Sequence, residues 1–185
     1  MQRTALNVTL LLHLRSLEKY IHLVKKAKQN LIRILQSAHA GELAAAYAYR
    51  GHWKSVRDEE QKRRIRQIEQ EEWDHRGCVL GWLRKLDAEP RKAREQVFWT
   101  IGRTLGVLCH VTGWFFPMYF AGRLESQNTQ EYKDAAGYAV ELGMEECARD
   151  MMHMSAKELE HEEFFRSVVE GHWLLPPAKV IFRWS

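Results

Sequence analysis

The sequence is short of the features that most small binding or catalytic domains display. Its three cysteines, Cys78, Cys109 and Cys147, are an odd number with no C-x-x-C pair. That excludes a disulfide framework, a zinc knuckle and a rubredoxin-type iron site, and makes a reducing compartment the default. Four prolines are spread over 185 residues, with no strand-like alternation and no hairpin signal between apolar runs, so a β architecture is excluded. Low-complexity tracts and linkers are lacking too, and one domain is expected. The opening "MQRTALNVTLLLHLRSLEKY" has a short apolar patch broken by His13 and no small-x-small cleavage pattern. No secretory signal is read there, and its scarcity of acids leaves an organellar leader as the alternative. The net charge of +4 and pI near 9.0 permit contact with anionic lipid or RNA without demanding it.

What remains is helical. The pattern predicts an N-terminal helical lead over about 8–24, then four long helices near 27–55, 58–87, 94–132 and 140–170, with Asp58 as N-cap of the second. Gly171 stops the last helix, and Pro176-Pro177 forbids its continuation. We divide the chain into a lead (1–26), a four-helix bundle (27–171) and a short C-terminal tail (172–185).

The helical stripes hold charges in unexpected places. One seam runs Ile65, Ile68, Glu72, His75, Val79, Trp82, Leu86, and another runs Cys147, Met151, Met154, Glu158, His161, Phe165, Val168. Each is apolar except for one Glu-x-x-His at the same phase, and charged seam residues are expensive unless compensated. The other two long helices carry one seam acid each. Glu42 lies in Leu31, Leu35, Ala38, Glu42, Ala45, Tyr49, and is the only acid between Glu18 and Asp58. Glu125 lies in Val107, Val111, Trp114, Met118, Ala121, Glu125, Asn128, Tyr132, with no acid between Glu95 and Glu125. Taken singly, either Glu-x-x-His could be a surface pair, since Glu69, Glu71 and Asp74 surround the first and Glu160, Glu162 and Glu163 the second. The conjunction points to one site. Residues three apart share a helix face, so each Glu-x-x-His can hold a metal ion with both side chains. Glu42, Glu72, His75, Glu125, Glu158 and His161 then ligate two ions, whose charge four carboxylates cancel. Oxygen and imidazole donors without thiolate favour iron (Fe2+/Fe3+), with manganese as the alternative.

At this point the sequence resembles the ferritin-like di-iron carboxylate superfamily, and within it the demethoxyubiquinone hydroxylases of ubiquinone biosynthesis. "HAGELAAAYAYRGHW" is similar to that family's first-helix signature, "EEWDH" and "KELEHEE" to its second and fourth ligand helices, and Tyr132, seven residues beyond Glu125, also matches. Glu131 stands where the family often carries His, and Ala156-Lys157 where it usually carries an acid. The resemblance implies an all-α, ferritin-like fold and an O2-dependent di-iron monooxygenase that hydroxylates a lipophilic quinone-type ring. It further implies an external electron donor, since no flavin or NAD fingerprint is present. Tyr132 and Tyr49 are candidate donors to the metal ligands.

The stretch "VLCHVTGWFFPMYFAG" is apolar all round, slightly short of the ~20 residues a span requires, and leads into Glu125. We expect Trp114, Phe115, Met118 and Tyr119 to line a substrate channel or reach a bilayer, with plain core packing as the alternative. His39, His52 and His110 read as polar core residues. The N-terminal patch and "WLLPPAKVIFRW" suit a membrane interface, with packing on their own bundle as the alternative. A cytoplasmic homo-oligomer, peripheral on the inner face of the cell membrane, is expected. Competing readings on the same bundle are a rubrerythrin- or ferritin-like peroxidase or ferroxidase, and a tRNA-base hydroxylase using Lys25, Lys26, Lys28 and Arg33. Nucleic acid is the less favoured partner.

Overall fold

The computed structural model describes residues 2–184. Of residues 2–14 and Ser16 only the backbone is described, so the membrane-facing role expected of the N-terminal patch, and the leader reading, lie outside the described residues. Six helices and no strand are present among the described residues: α1 (Gln2–Ser55), α2 (Glu59–Lys85), α3 (Lys92–Leu108), α4 (Phe115–Glu141), α5 (Glu145–Val169) and α6 (Leu175–Phe182). α1 pairs with α2 and α4 with α5 across short connections, and α1 packs on α4 to join the two hairpins, giving the expected bundle.

Local chemistry accounts for most boundaries. Asp58 caps α2 as expected, its side chain accepting a 2.8 Å hydrogen bond from the Gln61 amide. Glu59 and Glu60 in the first turn and Arg84 and Lys85 in the last oppose the helix dipole. Gly143 (φ 68°) turns α4 into α5, and Gly171 (φ 76°) ends α5.

Three expectations are corrected. The lead and first bundle helix form one uninterrupted α1, because neither Gly nor Pro falls near the expected junction and Lys25-Lys26-Ala27 are strong helix formers. The expected 94–132 helix is broken at residues 109–114. Pro117 lacks an amide proton and would clash with the carbonyl four residues back, so the helix restarts with Pro117 in the first turn of α4, after Gly113 adopts φ 79°. The tail is not helix-free: Pro176 and Pro177, which cannot extend α5, sit where proline is tolerated, in the first turn of α6.

The core divides into two apolar clusters. One contains Leu31, Leu35, Val79, Trp82, Leu83, Tyr132 and Met151, and the other Tyr49, Ile65, Ile68, Phe115, Met118, Tyr119 and Phe165. Along each of α1, α2, α4 and α5 the seam acid falls between the two. The tail folds back on the second cluster. Trp184 is buried and donates to Glu162 at 3.0 Å, Tyr119 donates to the Ala178 carbonyl at 3.0 Å, and Arg123 donates to the Phe182 carbonyl at 2.6 Å. Trp173, Val180 and Ile181 remain exposed. No described helix is long and apolar enough to cross a membrane.

α3 lies against α1 through small residues. A Cβ on Gly102 would stand 2.7 Å from the Ala44 Cα, one on Gly106 would stand 2.9 Å from the Tyr47 carbonyl, and one on Gly51 would enter the Gly106 backbone. Gly137, exposed in α4, has no atom within 4 Å of such a Cβ. We therefore expect Gly102→Val to destabilise the fold by about 2 kcal/mol or more, because neither backbone can yield. Gly137→Ala should stabilise by ~0.5–1 kcal/mol through helix propensity. Urea unfolding of both variants checks the contrast, and equal effects would refute this packing.

Candidate metal centre

The six seam residues meet. Glu42 comes from α1, Glu72 and His75 from α2, Glu125 from α4, and Glu158 and His161 from α5; all are buried. Their donor atoms form two overlapping groups, Glu42–Glu72–His75–Glu158 and Glu72–Glu125–Glu158–His161, with the atoms of each group within 4.8 Å of one another. Glu72 and Glu158 belong to both. Small residues around Glu42 (Ala38, Ala40, Ala44, Ala46) let α1 approach its neighbours closely.

The surrounding hydrogen bonds have a two-fold pattern. Tyr49 follows Glu42 by seven residues on α1, as Tyr132 follows Glu125 on α4. Each tyrosine hydroxyl donates to the acid of the other helix, Tyr49 to Glu125 Oε1 and Tyr132 to Glu42 Oε1. This crossing requires α1 and α4 to run antiparallel at the level of the site. A further residue the sequence reading did not single out is Glu71, whose Oε2 lies 2.7 Å from His161 Nε2 and 3.1 Å from Arg64. With Nε2–H donating to Glu71, His161 presents the lone pair of Nδ1 to the cluster. The acidic run around Glu72 had hidden Glu71; its step of one residue off the seam is the signal that could have found it.

The electrostatics test whether metal fits. Glu42 Oε2, both oxygens of Glu72 and of Glu158, and Nδ1 of His75 and His161 are enclosed without a hydrogen-bond partner. His75 Nδ1 lies 2.9 Å from Glu158 Oε1, and His161 Nδ1 lies 3.3 Å from Glu72 Oε1, approaches without hydrogen-bond alignment. Burial pushes the Glu42, Glu72 and Glu125 carboxyls upward, and the charge of Glu158 adds to each. Burial would raise Glu158 too, but the close approach of the Glu125 carboxyl and of the His161 and His75 imidazoles outweighs it and brings this carboxyl below its usual value. Burial alone would lower His75 and His161, yet Glu158 and neighbouring acids hold both up. Orphaned lone pairs converging from three carboxylates and two imidazoles, with the Glu125 carboxylate beside them, are what a pair of cations requires.

The other expected positions divide. Phe115, Met118 and Tyr119 are core residues, Tyr119 edge-on to Trp184 at 5.1 Å, and Trp114 donates to Gln61 at the surface. None lines the apolar space beside the site. That space, about 310 Å³ between α1, α3 and α4, is walled instead by the opposite face of α4 (Phe116, Pro117, Phe120, Leu124) with Tyr49, His52, Leu105 and Leu108. The break before Pro117 sets this phase. His39 is buried and bonded to Glu95 at 2.8 Å, and His52 is buried with its pKa lowered to about 4 by burial; His110, expected in the core, is exposed in the break.

A family model described as "Ubiquinone biosynthesis protein COQ7" matches residues 29–166, which span all six cluster residues. No curated protein and no solved structure matches the chain.

Two outcomes follow. Crowded carboxyls are held either charged against one another or protonated against their preference, so metal-free Glu72→Gln should be more stable than the metal-free parent by ~1 kcal/mol or more. A less stable variant in chelator would refute the crowding. For His52 the neutral form is favoured in the fold, so its stabilisation is complete above the unfolded value of 6.5 and is lost as pH falls toward about 4. His52→Phe should flatten the stability profile across that window by on the order of 3 kcal/mol, read from denaturant midpoints.

Proposed function

The chain belongs to the COQ7 family of ubiquinone biosynthesis proteins, a ferritin-like di-iron family, and on that premise we propose that it is an O2-dependent di-iron monooxygenase acting on the ring of a lipophilic quinone-type substrate. The observation that carries this reading is the pair of buried donor groups sharing Glu72 and Glu158. On it, Glu42 and His75 would hold one ion and Glu125 and His161 the other, with Glu72 and Glu158 available to both. Iron held there supplies activation of O2 and hydroxylation of an aromatic carbon; manganese suits the same oxygen and imidazole donors.

The protein's own contribution is positional. Tyr49 and Tyr132 fix the rotamers of Glu125 and Glu42, and Glu71 orients His161. The two apolar clusters exclude water from both ends of the site. The apolar cavity beside Tyr49 offers the substrate ring a place next to the cluster. Electrons come from an external donor. Exposed apolar residues on α3 (Val97, Ile101, Leu105, Leu108) and on the tail (Trp173, Val180, Ile181) support peripheral contact with a membrane surface, where such a substrate resides. Residues 27–171 form the catalytic unit, assembled as a homo-oligomer.

Purified protein should bind two iron ions per chain and, with a chemical reductant supplying two electrons per turnover, place one atom of 18O2 on the ring of a short-chain methoxy-methyl-benzoquinone while the other leaves as water. Glu72→Ala or Glu158→Ala should lose both ions and all activity, as each removes a shared ligand. Glu71→Ala should retain the ligand set but weaken metal affinity ~10–100-fold. Normal iron content in either shared-ligand variant would overturn the site. Full iron with rapid peroxide turnover and no ring oxygenation would assign the bundle to peroxidase chemistry instead.

A further inference from the structure

Among the described residues, the enclosed side-chain atoms without a hydrogen-bond partner belong to Glu42, Glu72, His75, Glu158 and His161, with one exception, His52 Nε2. The first five residues belong to the two metal-binding groups; His52 belongs to neither. Its imidazole is 3% exposed and forms part of the wall of the 310 Å³ cavity between α1, α3 and α4. The rest of that wall offers little polarity. Tyr49 spends its hydroxyl on Glu125, and Thr112 donates its own to the Leu108 carbonyl at 2.9 Å. The remaining side chains are aliphatic or aromatic apart from the Cys109 thiol, which burial keeps protonated.

An unpaired nitrogen in so apolar a place is a standing cost that a ligand can remove. An engineered cavity of about 150 Å³ takes benzene, so this one has room for a substituted ring with part of a side chain. The imidazole is held rigidly: it lies nearly parallel to Phe165 (centroids 6.0 Å, 11°) and Tyr49 (6.3 Å, 19°). Neutral imidazole can donate from Nε2 to a carbonyl or accept there from a phenol, according to tautomer. Tyr49, stacked beside this imidazole, donates its hydroxyl to the Glu125 carboxylate.

We propose that the cavity is a receptor for an aromatic ring bearing oxygen, and that His52 Nε2 meets that oxygen and so selects oxygenated rings over hydrocarbon ones of the same shape. The identity of the natural ring, a quinone or quinol, rests on the hydroxylase reading; the selection itself is a matter of binding. His52 is thereby a specificity residue, distinct from the metal ligands.

The test compares two probes of matched shape, 2,5-dimethyl-1,4-benzoquinone and 1,2,4,5-tetramethylbenzene, by equilibrium dialysis against the iron-loaded protein. Both should bind the parent chain. In His52→Phe and His52→Leu the ratio of the two dissociation constants should shift at least about tenfold toward the hydrocarbon, while hydrocarbon affinity, which reports an intact cavity, stays within threefold. Leu108→Trp, which fills the cavity from α3, should weaken both probes together. A ratio unchanged within twofold in a His52 variant that still takes up the hydrocarbon would overturn the role of Nε2. Failure of the parent to bind either probe would overturn the receptor. Selective binding by a protein that never oxygenates the quinone would sink the enzyme reading and leave this one standing.

Discussion

Four carboxylates buried at one depth of a helical bundle are the constraint on which the rest of this structure depends. Transferring a single carboxylate from water costs several kcal/mol even after relaxation, and a domain of this size is stable by only ~5–15 kcal/mol. Two imidazoles and two tyrosine hydroxyls offset part of that cost, yet seven donor atoms of the cluster remain enclosed and unpaired. Protons or cations must make up the difference. The fold therefore carries at its centre a demand for positive charge, and the sealed apolar clusters above and below it deny that demand an answer from bulk water.

The crossed tyrosines show how the demand is kept geometrically exact without loops. Each half of the molecule, α1–α2 and α4–α5, provides one acid with a tyrosine seven residues later and one Glu-x-x-His. Because the hydroxyl of each half holds the acid of the other, neither half's donor set is complete alone. Glu72 and Glu158, each a member of both donor groups, have the same property. Joining the hairpins and forming the site are thus one event, which explains why α1 and α4 can pack with so many alanines: the polar contacts supply the specificity that larger side chains would otherwise give.

Much of this was legible in the chain. Steps of three and four place Glu42, Glu72, His75, Glu125, Glu158 and His161 on seams, and an acid on a seam has few reasons to be there. Helix faces are decided by local geometry, so these six could be read without knowing how the helices meet. The α3–α4 region was not legible for the same reason in reverse. Val107 to Gly122 is apolar on every side, so no phase distinguishes core from cavity, and of the two readings open for Phe115, Met118 and Tyr119 the structure shows core packing. Pro117 held the missing information, since it forces a restart that rotates the following turns. The seating of α3 on α1 depends on Gly51, Gly102 and Gly106, residues that mark an approach by having no side chain and leave no pattern to read. Glu71 was masked by its acidic neighbours, and the docking of Trp184 by a tail too short for periodicity.

The break also separates the two sides of the cluster chemically. On the α1–α3–α4 side stands the nearly wholly apolar cavity that ends at Tyr49 and His52. On the α2–α5 side a smaller cleft of about 230 Å³ sets the charged or polar Glu71, Asp74, His75, Asp150, His153 and Lys157 among Cys78 and Met154. An unbroken helix from 94 to 132 would have had no reason to swing α3 onto α1, and the cavity exists because it does. The two openings differ in lining, the first almost wholly apolar and the second a mixture of charged and apolar side chains.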